Sequence, residues 1–352
     1  MNRPLVSLCV PTYNRASSLA ASLESICGQD YEPVEIVISD NGSTDGTEAL
    51  CRRVAAQDRR IRYFRQSRNI GLYQNHNFLI DASRGQFVCF FHDHDTRTSN
   101  IVSAYVGFMR QHPKTGVVCS DWDVIDELGT VLDVRQHEVA TVTPGLDFIE
   151  RTIRAGRSSV GAPGAMIRRA ALGDIRFDEQ GPLGFGDFVV WFRIAERWSI
   201  GHISQRLWGW RQEPNAQSVR RIVSLVNDYD INLTGYCDGH LTRWPDHQER
   251  VERWRRLVRR YIFWALAFEI GLHHRSRRPI GCRSQTLFEM LPYRLTPEEF
   301  EVALERLATY RTGLDQSVGL LVLRTLLRLR CTWPLAWITR YYASMRVILG
   351  LR

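Results

Sequence analysis

The sequence predicts an α/β fold in which a mostly parallel sheet is flanked by helices and followed by a helical C-terminal region. Short apolar runs alternate with segments of helical periodicity over residues 5–91, and several of these runs end in polar loops. After Ser218 the strand pattern stops and long helical segments follow. Strands that alternate with helices form βαβ units with right-handed crossovers, which place the strands parallel in one sheet.

The individual elements can be read from the spacing of apolar residues. Leu19, Leu23 and Ile26 recur at helical spacing after the first strand, and Leu50 and Val54 do so after the second. The predicted strands cover residues 5–10, 34–39, 61–64 and 86–91, and a further helix covers residues 75–82.

Residues 86–96 carry the strongest functional signal. A continuous apolar run, which is typical of a strand buried on both faces, stops abruptly at Asp93-His94-Asp95. Two carboxylates at that position suit a divalent cation with oxygen ligands, because isolated buried charge is costly. The alternative is a polar loop with two solvated aspartates.

Three polar loops are expected to share one edge of the sheet. They cover residues 12–15, 40–46 and 92–96, each directly after a predicted strand. Ligands of open α/β sheets bind outside the carboxyl ends of the strands. This edge therefore predicts a nucleotide-sized site. Asp121-Trp122-Asp123, after a strand at 116–120, could face a donor sugar or form an edge-strand turn.

The composition is that of a globular protein with an uneven charge. The 352 residues carry a net charge of +8, and residues 316–352 contain six arginines and no Asp or Glu. Leucines and tryptophans alternate with these arginines, and no nucleic-acid recognition motif is present, so nucleic-acid binding is not expected. His92, His94, His137 and His202 show no spacing typical of a metal site.

The cysteines and the apolar runs predict a cytoplasmic protein. The eight cysteines are scattered without close pairs, which fits a reducing compartment. The apolar run at the N-terminus is too short for a signal peptide, and no stretch reaches 18 apolar residues without charge.

The region from residue 219 to residue 352 is predicted to be helical and separate from a catalytic domain at residues 1–218. Helices are expected over residues 219–236 and 249–273, with another N-capped by Thr296. Residues 316–352 combine an apolar face with arginines and aromatic residues. Such a segment suits an anionic membrane interface at the inner face of the cell membrane. A helix hairpin packed on the catalytic domain is the alternative.

Several motifs together resemble family-2 glycosyltransferases, which have the GT-A fold. The segments are PLVSLCVPTYNRASSL, EIVISDNGSTDGT, NIGLYQNHN, FFHDHDT, IRRAALGDIRFDEQGPLGFGDFVVWFRIAE and GWRQEPNAQS, which occur in the family's order. The resemblance covers residues 4–218. Each motif alone is weak, and the ordered set is specific.

The resemblance implies a nucleotide site at the first two loops. Pro11, Thr12, Tyr13 and Arg15 would line the base pocket, with Tyr13 as a stacking face. Asp40 would accept a hydrogen bond from a pyrimidine N–H. Its alternative role is a helix N-cap or an Asx-turn.

The resemblance also implies a divalent Mn or Mg ion that clamps the diphosphate. Asp93 would bind the ribose or the metal, and Asp95 would ligate the metal. Glu213 replaces a family histidine and is either a third ligand or a loop acid. Arg211 is a candidate diphosphate contact, with a surface salt bridge as its alternative. His76 replaces a family arginine, so the contact that it makes to phosphate or base is expected to be weaker or pH-sensitive.

Asp187 occupies the position of the family's general base, which takes the proton of the acceptor hydroxyl and gives inversion. It could also N-cap the following helix. Acids common in the family are replaced here by Gly186, Val189 and Thr96.

The sequence therefore predicts an inverting, metal-dependent glycosyltransferase of cell-envelope polysaccharide assembly. Its partners would be a nucleotide-diphosphate sugar, with UDP favoured, and a hydroxyl of a glycan or polyprenyl-linked acceptor. The missing acids keep a second hypothesis open: a catalytically silent nucleotide-sugar-binding or scaffold protein at the membrane. A nucleotidyltransferase is disfavoured because no glycine-rich, lysine-bearing phosphate loop opens the chain.

Overall fold

The computed structural model of the chain describes residues 3–137, 139–212 and 222–275. Glu213, the helix predicted to begin near Thr296 and the segment 316–352 lie outside the described residues.

The strands and helices predicted within the described residues are present, and several shorter elements join them. The strands are β1 Val6–Thr12, β2 Val34–Asp40, β3 Ile61–Arg65, β4 Phe87–Phe90, β5 Thr96–Arg97, β6 Thr115–Ile125, β7 Val131–Arg135, β8 Val142–Thr143, β9 Met166–Arg168 and β10 Ser199–Arg211. The helices are α1 Leu19–Cys27, α2 Thr47–Gln57, α3 Leu72–Ala82, α4 Ile101–Gln111, α5 Gly145–Ala155, α6 Arg169–Leu172, α7 Gly186–Ala195, α8 Ile222–Arg243 and α9 Gln248–Arg275.

The strands form one mixed sheet in the order β3-β2-β1-β4-β9-β6-β10-β5, with β7 on β6 and β8 on β10. The four strands of the N-terminal half are mutually parallel, as the βαβ pattern predicts. The antiparallel pairs all involve β5, β7, β8 or β9, which are at most five residues long. Such short strands leave little periodicity in the sequence.

The core of the sheet is built as its sequence pattern indicates. All seven residues of β1 and all seven of β2 are buried, as expected for strands covered on both faces. Helix α1 buries Leu19, Leu23 and Ile26, the three residues at helical spacing. This packing fixes the carboxyl ends of β1 and β2, where Thr12 and Asp40 lie side by side.

Strand β6 is longer than its apolar run. Asp121 and Asp123 lie within the strand and not in a turn after it, so the edge-strand-turn interpretation is wrong. The reason is pairing on both sides: β10 pairs with β6 as far as Ile125, after two register shifts near Asp121, and β7 pairs with Trp122 and the residues after it.

The chain divides into two compact units. The first contains residues 1–149 and 158–216, and the second contains residues 150–157 and 217–352. In the described part of the second unit, α8 and α9 cover the two predicted helices, and Tyr229 donates a hydrogen bond to the Ile153 carbonyl at 2.9 Å. Within the described residues no helix is long and apolar enough to span a bilayer. The domain boundary at residue 218 stays a prediction.

Candidate active site

The three polar loops meet at one edge of the sheet, as predicted. The Asn14 N–H donates to Ser43 Oγ at 2.9 Å, and the Arg15 N–H donates to Thr47 Oγ1 at 2.9 Å. The Arg15 guanidinium also lies 3.8 Å from an Asp93 carboxylate oxygen. The loops after β1, β2 and β4 are therefore held together by side-chain contacts.

The four residues predicted for the base pocket differ in accessibility. Pro11 and Thr12 are buried at the end of β1, whereas 37% of the Tyr13 side chain is exposed and Arg15 is partly exposed. The Thr12 hydroxyl is buried and has no hydrogen-bond partner among the described residues. A planar ligand could stack on Tyr13 and reach polar atoms at the end of β1.

Asp40 is fully buried and already holds the loop after β2. Its Oδ1 accepts the Ser43 N–H at 2.8 Å, and its Oδ2 accepts the Tyr63 hydroxyl at 2.9 Å. The bond to Ser43 reaches the residue three positions on and not two, so Asp40 closes the loop without forming an Asx-turn. A pyrimidine N–H would need one of the remaining lone pairs of this carboxylate, so recognition of the base by Asp40 stays a prediction.

The carboxylate of Asp95 is buried, and the hydrogen bonds around it in the described part of the chain do not satisfy both of its oxygens. It has no exposed surface; its Oδ1 accepts the Arg211 backbone N–H at 2.9 Å, and its Oδ2 has no hydrogen-bond partner among the described residues. Burial raises the pKa of Asp95, and the Arg97 guanidinium, 3.7 Å away, opposes this shift. Removal from water disfavours the charged form, so a bound cation would stabilise it.

His94 lies between the two aspartates. Its Nδ1 is 3.1 Å from Asp93 Oδ1, and its Nε2 is 3.6 Å from Asp95 Oδ1. Ligand atoms of His92, His94 and Asp95 lie within 4.8 Å of one another. The sequence spacing of these histidines did not indicate a metal site, but the turn after β4 brings their ligand atoms close enough to hold an ion together with Asp95. Carboxylate oxygens suit Mn²⁺ or Mg²⁺, whereas imidazole nitrogens suit Zn²⁺, Fe²⁺ and related transition-metal ions.

Arg97 is a functional candidate that the sequence motifs did not indicate. Its side chain is fully buried, donates to the carbonyls of His92 and Pro163, and lies 4.6 Å from the centre of the Phe91 ring. Burial lowers the pKa of Arg97 to about 10, so it remains a cation at neutral pH. The only sequence signal is its position two residues after Asp95.

Arg211 donates to backbone carbonyls and forms no salt bridge with another of the described residues. Its Nε donates to the His94 carbonyl at 2.8 Å, and its Nη1 donates to the carbonyls of Asp126 and Glu127. The surface salt bridge and the diphosphate contact both stay predictions. The hydrogen bonds of Arg211 fix the loop after β4 against the β6–β7 turn, and they occupy donors that a diphosphate contact would use.

His76 lies in the core and is 4% exposed. Its ring packs against Phe90 and Phe177, and its Nδ1 is 2.8 Å from the Leu72 carbonyl oxygen. Burial lowers the pKa of His76 to about 4, so the ring is neutral at physiological pH. This packing counts against the predicted contact to phosphate or base.

The turn formed by Phe177, Asp178 and Glu179 is attached to α3 by Asn77. Asn77 Oδ1 accepts the Phe177 N–H at 2.9 Å, and its Nδ2 donates to the Phe177 carbonyl at 3.0 Å and to Glu179 at 2.9 Å. The Tyr73 ring stacks on Phe177 at 5.2 Å. These contacts join two motifs that are about a hundred residues apart in the chain.

Asp187 is the second residue of α7; part of the residue is exposed, while its carboxyl group is buried. The N-cap position is Phe185, in the left-handed region at φ 62°, and no side chain caps the helix. The N-cap alternative for Asp187 is therefore wrong. Burial raises the pKa of Asp187 to about 6, while the Phe188 N–H and Trp191 oppose the shift. A carboxylate with such a pKa is ionised at neutral pH and still basic enough to accept a proton.

Gly186 has a steric explanation. A Cβ atom built on Gly186 would lie 2.4 Å from the Tyr73 hydroxyl oxygen. That hydroxyl donates to the Leu183 carbonyl at 2.6 Å, which fixes the ring beside the start of α7. An acid at position 186 is thus incompatible with Tyr73 in this place.

Comparison with known proteins places the chain among glycosyltransferases. The "Glycosyl transferase family 2" profile matches residues 7–176. A Campylobacter jejuni GalNAc(5)-diNAcBac-PP-undecaprenol β-1,3-glucosyltransferase is 37% identical over 101 residues, which cover 28% of this chain and 33% of that protein. The colanic acid biosynthesis glycosyl transferase WcaA of Escherichia coli, a putative assignment, is 30% identical over 110 residues, covering 31% and 39%. The matches with the first curated relatives span about a third or less of each relative's length.

Solved structures share the fold at low identity. S. aureus TarS 1–349 in complex with UDP-GlcNAc has a TM-score of 0.53 at 18% identity, covering 65% of each chain. The mannosyltransferase PcManGT of Pyrobaculum calidifontis, in complex with GDP-Man and Mn²⁺, has a TM-score of 0.52 at 17% identity, covering 97% of this chain and 88% of that one. The profile match over residues 7–176, the ordered motifs and the shared fold together make this chain similar to GT-A members of glycosyl transferase family 2.

Proposed function

We propose that this protein is an inverting, metal-dependent glycosyltransferase of cell-envelope polysaccharide assembly. Its donor would be a nucleotide-diphosphate sugar, with UDP favoured, and its acceptor a hydroxyl of a glycan or a polyprenyl-linked sugar. Similarity to this family supports sugar transfer in glycan biosynthesis. The donor, the stereochemical outcome and the acceptor rest on the arguments below.

The buried Asp95 carboxylate carries the proposal. Its Oδ2 lacks a hydrogen-bond partner among the described residues, and burial raises its pKa. Charge buried in this way is normally paired or bound to a metal. Asp93, His92 and His94 lie beside it and offer further oxygen and nitrogen ligands. This donor set fits a divalent Mn or Mg ion, and Mn accepts its nitrogen atoms more readily.

Asp93 and Asp95 would hold that ion, and Glu213 stays a proposed third ligand. When bound, the ion supplies positive charge that stabilises the departing nucleoside diphosphate. The protein's own residues position the donor: Tyr13 offers a stacking face for the base, and the Arg15 guanidinium lies within 3.8 Å of Asp93. The buried Arg97 guanidinium lies 3.7 Å from Asp95 and supplies a positive charge beside the acidic pair.

Asp187 is proposed as the general base. Its carboxylate would accept the proton of the acceptor hydroxyl as that oxygen attacks the anomeric carbon on the face opposite the diphosphate. The new bond forms as the bond to the diphosphate breaks, so the configuration inverts. The pKa of about 6 favours this role, since the group is ionised at neutral pH.

Similar proteins support a nucleotide-sugar donor and a lipid-linked acceptor. TarS was solved with UDP-GlcNAc and PcManGT with GDP-Man, so both uridine and guanosine nucleotides are candidates here. The Campylobacter relative is named for an undecaprenol-linked acceptor. The arginine-rich segment 316–352 would bring the enzyme to the anionic membrane surface that carries such an acceptor.

A donor-cleavage assay tests the enzyme proposal. Release of nucleoside diphosphate is measured from UDP-glucose, UDP-N-acetylglucosamine and GDP-mannose, each with Mn²⁺, Mg²⁺ or EDTA. We expect metal-dependent release from one donor, lost in Asp95→Ala and retained in Asp81→Asn, which changes an exposed aspartate paired with Arg176. Metal-dependent binding without release from any donor would favour the catalytically silent binding protein instead.

A liposome assay tests the membrane proposal separately. The full chain and a variant lacking residues 316–352 are sedimented with vesicles that contain anionic lipid. We expect the full chain to pellet and the truncated variant to stay in solution while it still binds donor. Loss of folding in the truncated variant would instead support the packed helix hairpin.

A further inference from the structure

A second group of potential ligands lies on the strand pair β6–β10. Asp121 projects from β6, His202 from β10 and His137 from the segment between β7 and β8. One ligand atom of each lies within 4.8 Å of the others. None of these residues is part of the proposed donor site, and the motifs that resemble the family include none of them.

The group is buried and contains closely placed ligand atoms. Asp121 is 4% exposed and His202 is 3% exposed. The His202 Nε2 atom lies 2.9 Å from Asp121 Oδ1, and the His137 Nδ1 atom lies 3.6 Å from the same oxygen. Ligands bound to one tetrahedral ion at about 2.0–2.2 Å lie about 3.3–3.6 Å apart, so the His137 separation fits a metal site and the His202 atom needs to move by about half an ångström.

The hydrogen bonds among the protein atoms are incomplete. The His202 Nδ1 atom is buried and has no hydrogen-bond partner among the described residues. Buried polar atoms are normally satisfied, so the trio is not a closed network in the described structure.

The surroundings also supply the support that metal ligands usually receive. Asp121 Oδ1 accepts the His137 backbone N–H at 2.9 Å, and the His202 backbone N–H donates to the Thr141 carbonyl at 2.9 Å. The Trp122 ring packs 4.8 Å from the His137 ring. Contacts of this kind fix the orientation of ligand side chains.

In the sheet, β9 lies between β6, which carries Asp121, and β4, which precedes the Asp93–Asp95 pair. Val118 of β6 and Cys89 of β4 both pair with Met166 of β9. Asp121 follows Val118 by three positions in the chain, and His92 follows Cys89 by three. Beyond Met166, Arg97 donates to the Pro163 carbonyl at 3.1 Å. The two ligand groups thus lie at the same edge of the sheet, with residues of the segment before β9 between the two strands.

We propose that Asp121, His137 and His202 form a second metal site, which binds a transition-metal dication of the Zn²⁺ class. Two imidazoles and one carboxylate form a three-ligand set that Zn²⁺ and Fe²⁺ accept, with water in the remaining positions. The ion joins the segment between β7 and β8 to the two strands β6 and β10. Its role is to hold that segment, and it takes no part in sugar transfer.

Cobalt spectroscopy on the full chain tests the proposal. The protein is stripped with a chelator and titrated with Co²⁺, whose visible absorption reports the number and geometry of nitrogen ligands, and then with Zn²⁺ as competitor. The variants are Asp121→Asn, His137→Ala and His202→Gln. The control variant Asp95→Asn removes a ligand of the other site, and His112→Ala removes a histidine that belongs to neither group.

The expected result is a Co²⁺ ion with visible bands in the wild type that Zn²⁺ displaces and that Asp95→Asn and His112→Ala both retain. His137→Ala should weaken this ion's binding at least tenfold, in line with the loss of a direct ligand. His137→Cys should keep the ion and add a sulfur-to-cobalt charge-transfer band. The His137 variants keep the test valid if Asp121→Asn or His202→Gln fails to fold, because His137 lies on a connecting segment.

A bound ion that is lost in Asp95→Asn and kept in His137→Ala would overturn the proposal, since all binding would then belong to the donor site. Absence of visible Co²⁺ bands and of Zn²⁺ binding in the folded wild type would overturn it too, and would leave a hydrogen-bonded trio. Neither result touches the proposed transferase activity, which the donor-cleavage assay tests independently.

Discussion

The pH dependence of transfer should report the state of Asp187. Burial raises the pKa of this carboxyl to about 6, and the base must be ionised to accept a proton. The ionised fraction is then about 0.9 at pH 7 and about 0.1 at pH 5, so kcat/KM should fall about tenfold between them. Activity is lost as the pH falls, because the protonated carboxyl cannot act as the base.

Replacing Asp187 with asparagine gives the matching measurement. A positioned base contributes about 10²–10⁴ in rate, or about 3–5 kcal/mol at 1.36 kcal/mol per decade. We expect Asp187→Asn to lose that factor and to show no rate change between pH 5 and pH 7. Initial rates are measured at saturating metal, with Asp174→Asn, an exposed aspartate of the preceding segment, as control.

Two results would refute the reasoning about Asp187. One is an Asp187→Asn rate within about threefold of the wild type, since a base should be worth at least about a hundredfold. The other is a pH profile that is unchanged in the variant, because the titrating group would then lie elsewhere. Circular dichroism of both variants checks that the fold is intact.

Three further predictions concern the contacts that hold the site. Gly186→Ala should lower the free energy of unfolding by about 1–3 kcal/mol, because its Cβ would lie 2.4 Å from the Tyr73 hydroxyl. The control is Gly107→Ala in α4, where no atom lies within 4 Å of the new Cβ; it should be neutral or stabilise the fold by up to about 1 kcal/mol. If the two variants change the free energy of unfolding in urea equally, the steric argument is contradicted. Asn77→Ala should destabilise by about 1–3 kcal/mol, because it leaves the buried Phe177 N–H without its acceptor; an unchanged urea midpoint would disprove this. Arg211→Lys should weaken metal-dependent nucleotide binding while retaining the fold. Lysine cannot donate to all three carbonyls that Arg211 binds, those of His94, Asp126 and Glu127, and so cannot position the loop after β4. Calorimetry that shows unchanged nucleotide affinity would contradict a positioning role.

The sequence was sufficient for the parallel half of the sheet and for the convergence of its three loops. Strands β1, β2 and β4 are continuous apolar runs, and their polar ends must meet once the strands are parallel. Asp93 and Asp95 could be singled out for the same reason. The prediction needed only local periodicity and the handedness of crossovers.

The partners of the site residues could not be predicted, because they come from distant parts of the chain. Arg211 resembles a phosphate ligand in sequence, yet its donors are bonded to carbonyls 84–117 residues away. His76 replaces an arginine in the motif and is held in the core by Phe90 and Phe177. Periodicity shows which face a residue occupies, but it does not show which side chain fills the space opposite.

The histidines were missed for a related reason. His94 alternates with two aspartates, so spacing alone suggests that it points away from them, whereas the turn after β4 places its ring between both carboxylates. His137 and His202 are separated by 65 positions; His202 meets Asp121 because β10 pairs with β6, and His137 does so because β7 pairs with β6. Neither the turn after β4 nor this long-range strand pairing is encoded in the local sequence pattern.

The most direct test of the donor site is calorimetric titration of UDP and GDP into the full chain, with saturating Mn²⁺ or with EDTA, for the wild type and Asp95→Asn. We predict that one nucleotide binds at least about tenfold more tightly with Mn²⁺, and that Asp95→Asn, which removes a charged ligand, abolishes the difference. Equal affinity with and without the ion, or a metal effect that survives in Asp95→Asn, would contradict the claim that this buried carboxylate holds the cation for a nucleoside diphosphate.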